Sequence, residues 1–245
     1  SSSILEYSKR INVKITNYKF FDLIMAAFVV VLITSNIIGP AKISQIDMPF
    51  IGVITFGAGV LFFPLSFIFG DILTEVYGYS ASRRVIWVGF VGLTFASFMA
   101  WMIVALPPAP FWKNQEVYEI AFGSVWRVSL AGLVAFAAGE FVNSYVMAKM
   151  KILTKGKHLW TRTIGSTILG EGVDSILFYP LAFYNSGIIP NDKLMLVVFA
   201  QFLAKTLVEV LFTPITYAVI KFLKKHEKID FYDTKTNFNP FILKG

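Results

Sequence analysis

The sequence predicts an all-α membrane protein with six transmembrane helices. Three observations carry that expectation. Six stretches are apolar over the roughly 20 residues that a helix needs to cross a hydrocarbon core of about 30 Å. The Lys and Arg residues crowd onto alternate loops. The 245 residues are 56% apolar and only 15% charged, with a mean hydropathy of +0.66, whereas soluble domains average roughly 45–50% and about 25%. A soluble globule, a disordered chain and a fibrous protein are thereby excluded.

The spans are expected at 20–39, 51–69, 85–106, 128–147, 164–184 and 194–223. The second contains Gly57, Gly59 and Pro64. Proline lacks a backbone donor and glycine weakens a helix, so this span is expected to be broken. Broken helices at membrane depth are tolerated where they line a cavity. Residues 107–126, rich in Pro and aromatics, read as an external loop with Trp and Tyr at the interface. No repeat links the halves, but three spans in each allow a 3+3 arrangement of opposite orientation. One domain is expected, with an N-terminal segment at 1–19, the six-span bundle at 20–223 and a tail at 224–245.

Charge placement gives the orientation. Lys9, Arg10, Lys14 and Lys19 precede the first span, and Arg83 and Arg84 follow the second. Lys149, Lys151, Lys155, Lys157 and Arg162 fill the loop after the fourth. Lys221, Lys224, Lys225, Lys228, Lys235 and Lys244 close the chain. These are 17 of the 22 basic residues, and cytoplasmic loops carry such an excess. Both termini are therefore expected in the cytoplasm. The basic loops read as topology signals and contacts to anionic lipid, not as a nucleic-acid surface. No short apolar region followed by a small-residue cleavage site is seen at the start. There is no Cys, and the two His (His158 and His226) lie in Lys-rich stretches. Together these argue against nucleophilic catalysis, a metal site or a cofactor, and no enzyme is expected.

The polar residues at membrane depth are the informative ones. Glu140, Glu171, Asp174 and Glu209 fall inside spans, with Asp71 and Glu75 at the inner end of the second. A charged residue at a helix centre costs about 2.5–3.5 kcal/mol on insertion scales. Four facing lipid would cost on the order of 10 kcal/mol, comparable with a whole fold's stability of about 5–15 kcal/mol. They must face the bundle interior, line water, pair or be protonated. Spacing agrees: Glu140 with Asn143, then Thr167, Glu171, Asp174 and Phe178, then Gln201, Lys205 and Glu209, each form one helical stripe. The stripes converge either on a central cavity or on interhelical hydrogen bonds that only hold the bundle together.

Two blocks carry a resemblance. The run FPLSFIFGDILTEVYGYSASRRVIW (63–87) contains Pro64, Asp71, Thr74, Glu75, Tyr77, Gly78, Arg83 and Arg84. The run KHLWTRTIGSTILGEGVDSILFYPLAF (157–183) contains Leu159, Trp160, Arg162, Ser166, Thr167, Gly170, Asp174 and Phe178. Together they resemble the signatures of the YhhQ/VUT family of bacterial inner-membrane proteins. The resemblance implies import of queuosine precursors, the 7-deazaguanines preQ0 and preQ1, for modification of certain tRNAs. It also implies a multi-pass protein of the bacterial inner membrane. In size and span count the family is similar to substrate-binding subunits of energy-coupling-factor vitamin transporters, which is the alternative reading. The small-residue run AGLVAFAAG (131–139) is compatible with the docking face such a subunit would expose.

The residues suit such a ligand. A deazaguanine presents N1–H and a 2-amino group as a two-donor fork, which a carboxylate accepts as it accepts an Arg fork. Glu171 and Asp174 are expected to take that edge, with Asn143 and Glu140 across the cavity. Asn143, Gln201 or Lys205 would serve the carbonyl oxygen, and Phe178, Tyr179 and Tyr184 the ring faces. Asp71, Glu75, Arg83, Arg84, Pro64 and Arg162 are expected to form a gate or structural clasp at the cytoplasmic mouth, with an Asp71 or Glu75 pair to Arg83 or Arg84 in one state. The absence of a GxxxxGK[ST] motif means that this chain hydrolyses no nucleotide itself. Proton coupling and a separate ATPase module both stay open.

Overall fold

The computed structural model describes residues 18–39, 42–48, 52–122, 125–187 and 189–242. Lys9, Arg10, Lys14 and Lys244, counted above for orientation, lie outside them. Helix α1 (Phe21–Ile38) is followed by strands β1 (Ile43–Met48) and β2 (Gly52–Gly57), paired antiparallel with Ile46 opposite Ile54. A 3-10 turn (Ala58–Leu61) leads into α2 (Pro64–Tyr77), then α3 (Tyr79–Ala105), the short α4 (Gln115–Phe122) and α5 (Val125–Leu153). Helix α6 (Leu159–Phe183) and, after a second 3-10 turn, α7 (Leu194–Glu227) complete the bundle.

Three expectations need correction. The chain is not purely helical, because the opening residues of the expected second span form strand β2 and the span proper starts at Ala58. That span is interrupted, with a 3-10 turn (Ala58–Leu61) ahead of α2, but Pro64 does not kink it; Pro64 sits in the first turn of α2, where its missing N–H would have had no partner anyway. The segment expected as loop at 107–126 contains α4 and the first residues of α5.

Among the described residues, five segments are long and apolar enough to cross a membrane: Phe21–Ile38, Ala58–Tyr77, Tyr79–Ala105, Gln115–Leu153 and Asn191–Glu227. Helix α6, at 25 residues, spans about 37 Å at 1.5 Å per residue. Its polar stripe keeps it below the others in hydropathy. The most apolar stretch of the α2 span is 67% buried, against 17% for that of α3. Helix α2 is therefore enclosed, whereas α3 turns Val88, Val91, Phe95, Phe98 and Trp101 outward. Such an apolar exterior suits lipid and not water.

A core of Phe28, Leu32, Leu73, Val76, Val85, Ile86, Phe136 and Ile220 joins α1, α2, α3, α5 and α7. The most extensive interface is that of α5 with α6. It depends on two glycines facing each other. A Cβ on Gly139 would lie 2.9 Å from the Gly170 carbonyl oxygen, and one on Gly170 would lie 2.7 Å from Asn143 Cβ. Small residues let helix backbones approach closely at membrane depth.

The basic loops gather at one end of the bundle. There the chain beyond α7 does not hang free. Lys228 ends α7 in the left-handed conformation (φ 55°), and the chain turns back across the bundle end. Both carboxylate oxygens of Asp233 accept the Tyr79 N–H at 3.1 Å, satisfying a donor at the start of α3. Arg83, wholly buried, donates to the carbonyls of Asn237 and Asn239 at 2.7 and 2.8 Å. Trp87 Nε1 donates to Pro240 O at 2.8 Å. At the α2–α3 corner Gly78 has φ 87°, and the Phe231 ring covers it so closely that no side chain would fit.

The crossing gives a direct test. Gly170→Ala should cost about 1–3 kcal/mol, since overpacking cannot relax against backbone. Thermal unfolding of purified protein in detergent should show a lowered midpoint, and an unchanged midpoint would contradict this account of the α5–α6 contact.

Candidate functional site

Helix α2 carries two acids one turn apart, and each organises a layer. Glu75 lies at the basic end and is fully buried. Its carboxylate accepts a fork from Arg162 of α6, Nε to Oε2 and a terminal nitrogen to Oε1, both at 2.8 Å. Lys224 of α7 also donates to Oε1. Lys151 of α5 lies 3.5 Å from the same oxygen and donates to the Glu75 carbonyl at 2.6 Å. Asp230 completes the layer, accepting Lys151 and Lys224 at 2.6 and 2.8 Å. Burial alone would raise the Asp230 carboxyl, but the two ammonium groups outweigh it and hold the pKa below the usual carboxylate value.

The expected cluster at this end has other partners, and Asp71, expected within it, lies in the deeper layer with Asn143 and Ser166. Glu75 does not pair with Arg83 or Arg84. Arg83 is taken by the chain after α7, and Arg84 is exposed. The cations come from α5, α6 and α7. Arg162, named from the second sequence block, is the one that closes the fork. Lys151, Lys224 and Asp230 were not singled out from sequence, because lysines in a basic loop carry no signal that separates an ion-pair partner from a topology marker.

The deeper layer is acid-rich. Asp71 Oδ1 accepts Asn143 Nδ2 at 2.9 Å and Ser166 Oγ at 3.2 Å. Glu140 is fully buried, and neither of its carboxylate oxygens has a hydrogen-bond partner. It packs against Gly70 of α2, where any Cβ would collide with it. Along α6, Thr167 donates to Glu209 of α7 and Asp174 accepts Lys205 of α7. Lys205 Nζ also lies 3.4 Å from Glu171 Oε2 and sits 4.4 Å above the centre of the Phe63 ring. Gln201 is buried one turn before Lys205 on the same helix. The sequence stripes thus meet, and Glu140, Asn143, Glu171, Asp174, Gln201 and Lys205 converge. Phe178 and Tyr179 are partly buried and lie edge to face with ring centres 5.0 Å apart. Phe63, under Lys205, was not anticipated, because one Phe among 25 carries no positional signal.

The layer is closed in this conformation. Glu171 and Asp174 gather around Lys205 and are not open to a void. A crevice of about 210 Å³ of empty space, too tight for a water-sized sphere, is lined instead by Asp71, Thr163, Thr167, Glu209 and Thr213. Among the described residues no cluster of His, Asp and Glu is arranged to hold a metal. Ala131, Ala135 and Gly139, from the small-residue run, are buried in the bundle and offer no outward docking face.

Comparison with known proteins sets this arrangement in a family. Residues 57–219 match the family described as "Putative vitamin uptake transporter". The chain belongs to this family. The match contains α2, α3, α5 and α6, so it covers the acid-rich layer and, of the Glu75 layer, Glu75, Lys151 and Arg162, while Lys224 and Asp230 lie beyond it. A Bacillus subtilis protein named "Probable queuosine precursor transporter" is 30% identical over 159 residues, covering 64% of this chain and 69% of its own length. An Escherichia coli protein named "Queuosine precursor transporter" is 22% identical, covering 66% and 71%. A Haemophilus influenzae relative with the "Probable" name is 22% identical, covering 52% of each chain. No solved structure matches significantly. The chain is a multi-pass membrane transporter and not an enzyme.

The clasp makes a prediction. Arg162→Ala removes the fork but leaves Glu75 with Lys224 and Lys151, and should destabilise the protein by about 1.5–3 kcal/mol. Unfolding midpoints in detergent of Arg162→Ala, Glu75→Gln and the double variant should show that the two losses are not additive. Additive losses would show that the pair is not coupled.

Proposed function

We propose that this chain imports queuosine precursors of the 7-deazaguanine class across the bacterial inner membrane, with six spans and both termini in the cytoplasm. The observation that carries the reading is the buried set Glu140, Asn143, Glu171, Asp174 and Lys205 at mid-bundle. Ionisable groups inside membrane helices mark transport pathways as a rule. The names of the relatives supply the substrate class. The gathering of Lys19, Arg83, Lys151, Arg162 and Lys224 at one end supports the orientation, since cytoplasmic ends are basic.

The chemistry fits a flat base with a donor fork. Glu171 and Asp174 lie one turn apart and both face Lys205. The N1–H and 2-amino group of the base offer the same kind of donor as that ammonium. The base takes the carboxylates by displacing Lys205, which then turns to the carbonyl oxygen together with Gln201 or Asn143. Phe178 and Tyr179, whose ring lies within the field of Lys205, Asp174 and Glu171, give a stacking face. Helix α2 ties this site to the clasp, so release of the Glu75 pairs is the natural step that opens the cytoplasmic side. The second reading, a binding subunit of an energy-coupling-factor transporter, keeps its likeness in size and span count, but Ala131, Ala135 and Gly139 of its small-residue run face the bundle.

Uptake tests the proposal. A bacterial strain lacking queuosine synthesis and its own importer should regain the tRNA modification when it expresses this gene and receives a 7-deazaguanine precursor. Asp174→Asn and Glu171→Gln should lower uptake by about ten-fold or more, the loss of one charge-assisted bond, with little change in folded yield. No uptake by a correctly inserted wild type would refute the substrate assignment. Parallel loss of uptake and yield would make the acids structural.

A further inference from the structure

The deep layer is out of charge balance. Five carboxylates, on Asp71, Glu140, Glu171, Asp174 and Glu209, are buried together with one ammonium, that of Lys205. Among the described residues, the carboxylates within 4 Å of Lys205 are those of Glu171 and Asp174. Among the described residues, Asp71, Glu140 and Glu209 form no ion pair within 4 Å. Asp71 and Glu209 have hydroxyl or amide donors. Glu140 has none: both its oxygens are buried without a hydrogen bond. The charged groups that face it from α2 and α6 are Asp71, Glu171 and Asp174, all acids.

Other buried groups near the stripe also lack partners. Ser175 is wholly buried one turn beyond Glu171 and its hydroxyl has no hydrogen bond. The free amide oxygen of Asn143, one turn along α5 from Glu140, has none either. Buried polar atoms are almost always paired, so a cluster of unpaired ones on facing helices marks a place where a ligand supplies the missing groups. Here the missing groups are donors, and an ammonium supplies donors together with a counter-charge.

Building on the import reading above, we infer that this site selects a cationic ligand, a 7-deazaguanine bearing an ammonium on its 7-substituent, and that Glu140 takes that ammonium. The base edge and the 7-substituent lie on different rings, so one molecule reaches two sets of acids. Glu171 and Asp174 accept the edge, and Glu140 accepts the charged arm. A base whose 7-substituent is a nitrile offers Glu140 neither a proton donor nor a charge. A hydrogen bond to a charged group contributes about 1.5–3 kcal/mol, which corresponds to a preference of about ten-fold or more.

The experiment is calorimetric titration of the full chain in detergent with 7-aminomethyl-7-deazaguanine and 7-cyano-7-deazaguanine side by side. Wild type should bind the amine about ten-fold tighter or better. Glu140→Gln should bind both to within about two-fold, and Glu140→Asp, which keeps the carboxylate, should restore the preference. Equal binding by wild type, tighter binding of the nitrile, or an undiminished preference in Glu140→Gln would each overturn the inference and leave the import reading standing. The wild-type comparison decides the matter even where a variant does not fold. Binding of neither base by folded wild type would overturn the import reading and this inference with it.

Discussion

A carboxylate withdrawn from water must be given a counter-charge or donors, or it opposes folding. That constraint shapes this bundle more than any apolar contact. Helix α2 places Glu75 and Asp71 one turn apart, and the surrounding helices are arranged to serve them. Arg162, Lys151 and Lys224 come from three different helices to one carboxylate. Gly139 and Gly170 allow α5 and α6 to meet closely enough that Asn143 on one and Ser166 on the other reach the same oxygen of Asp71.

The two layers differ in how the constraint is met. Around Glu75 the cations exceed the acids, and both oxygens of its carboxylate are paired. Such a saturated ion cluster is rigid and suits a closure. Around Glu140 the acids exceed the cations, and several polar atoms have no partner. An unsaturated cluster at membrane depth is costly unless something else completes it, which is what a transport site needs. Because one short, enclosed helix carries an acid of each layer, movement of α2 changes both together. The ordered chain after α7, held by Arg83, Asp233 and Trp87, packs over the end of α3 and contributes Asp230 to the closure.

Much of this was legible in the sequence. Apolar runs and loop charges placed the long helices other than the second span to within about six residues, and spacing alone put Glu171 and Asp174, or Gln201, Lys205 and Glu209, on common faces. What periodicity cannot give is which face meets which. It left Lys205 beside Glu209 on one stripe, whereas across the helices its partners are Asp174 and Glu171, and Glu209 turns to Thr167. The β hairpin was hidden because an apolar run of β-branched residues reads equally as half a span. The role of Pro64 depended on where α2 begins, which hydropathy does not mark. The buried Arg83 was assigned to the wrong partner because its acceptors are backbone carbonyls more than 150 residues away, and these have no sequence signature.

The central claim is that the acid-rich layer is the place where the transported base sits. Its most direct test is an experimental structure of the full chain determined with a bound 7-deazaguanine. The account predicts the base between α5, α6 and α7, its donor edge within hydrogen-bond distance of Glu171 or Asp174 and Lys205 moved off that pair. A base bound elsewhere, with Lys205 still joined to Asp174, would contradict it.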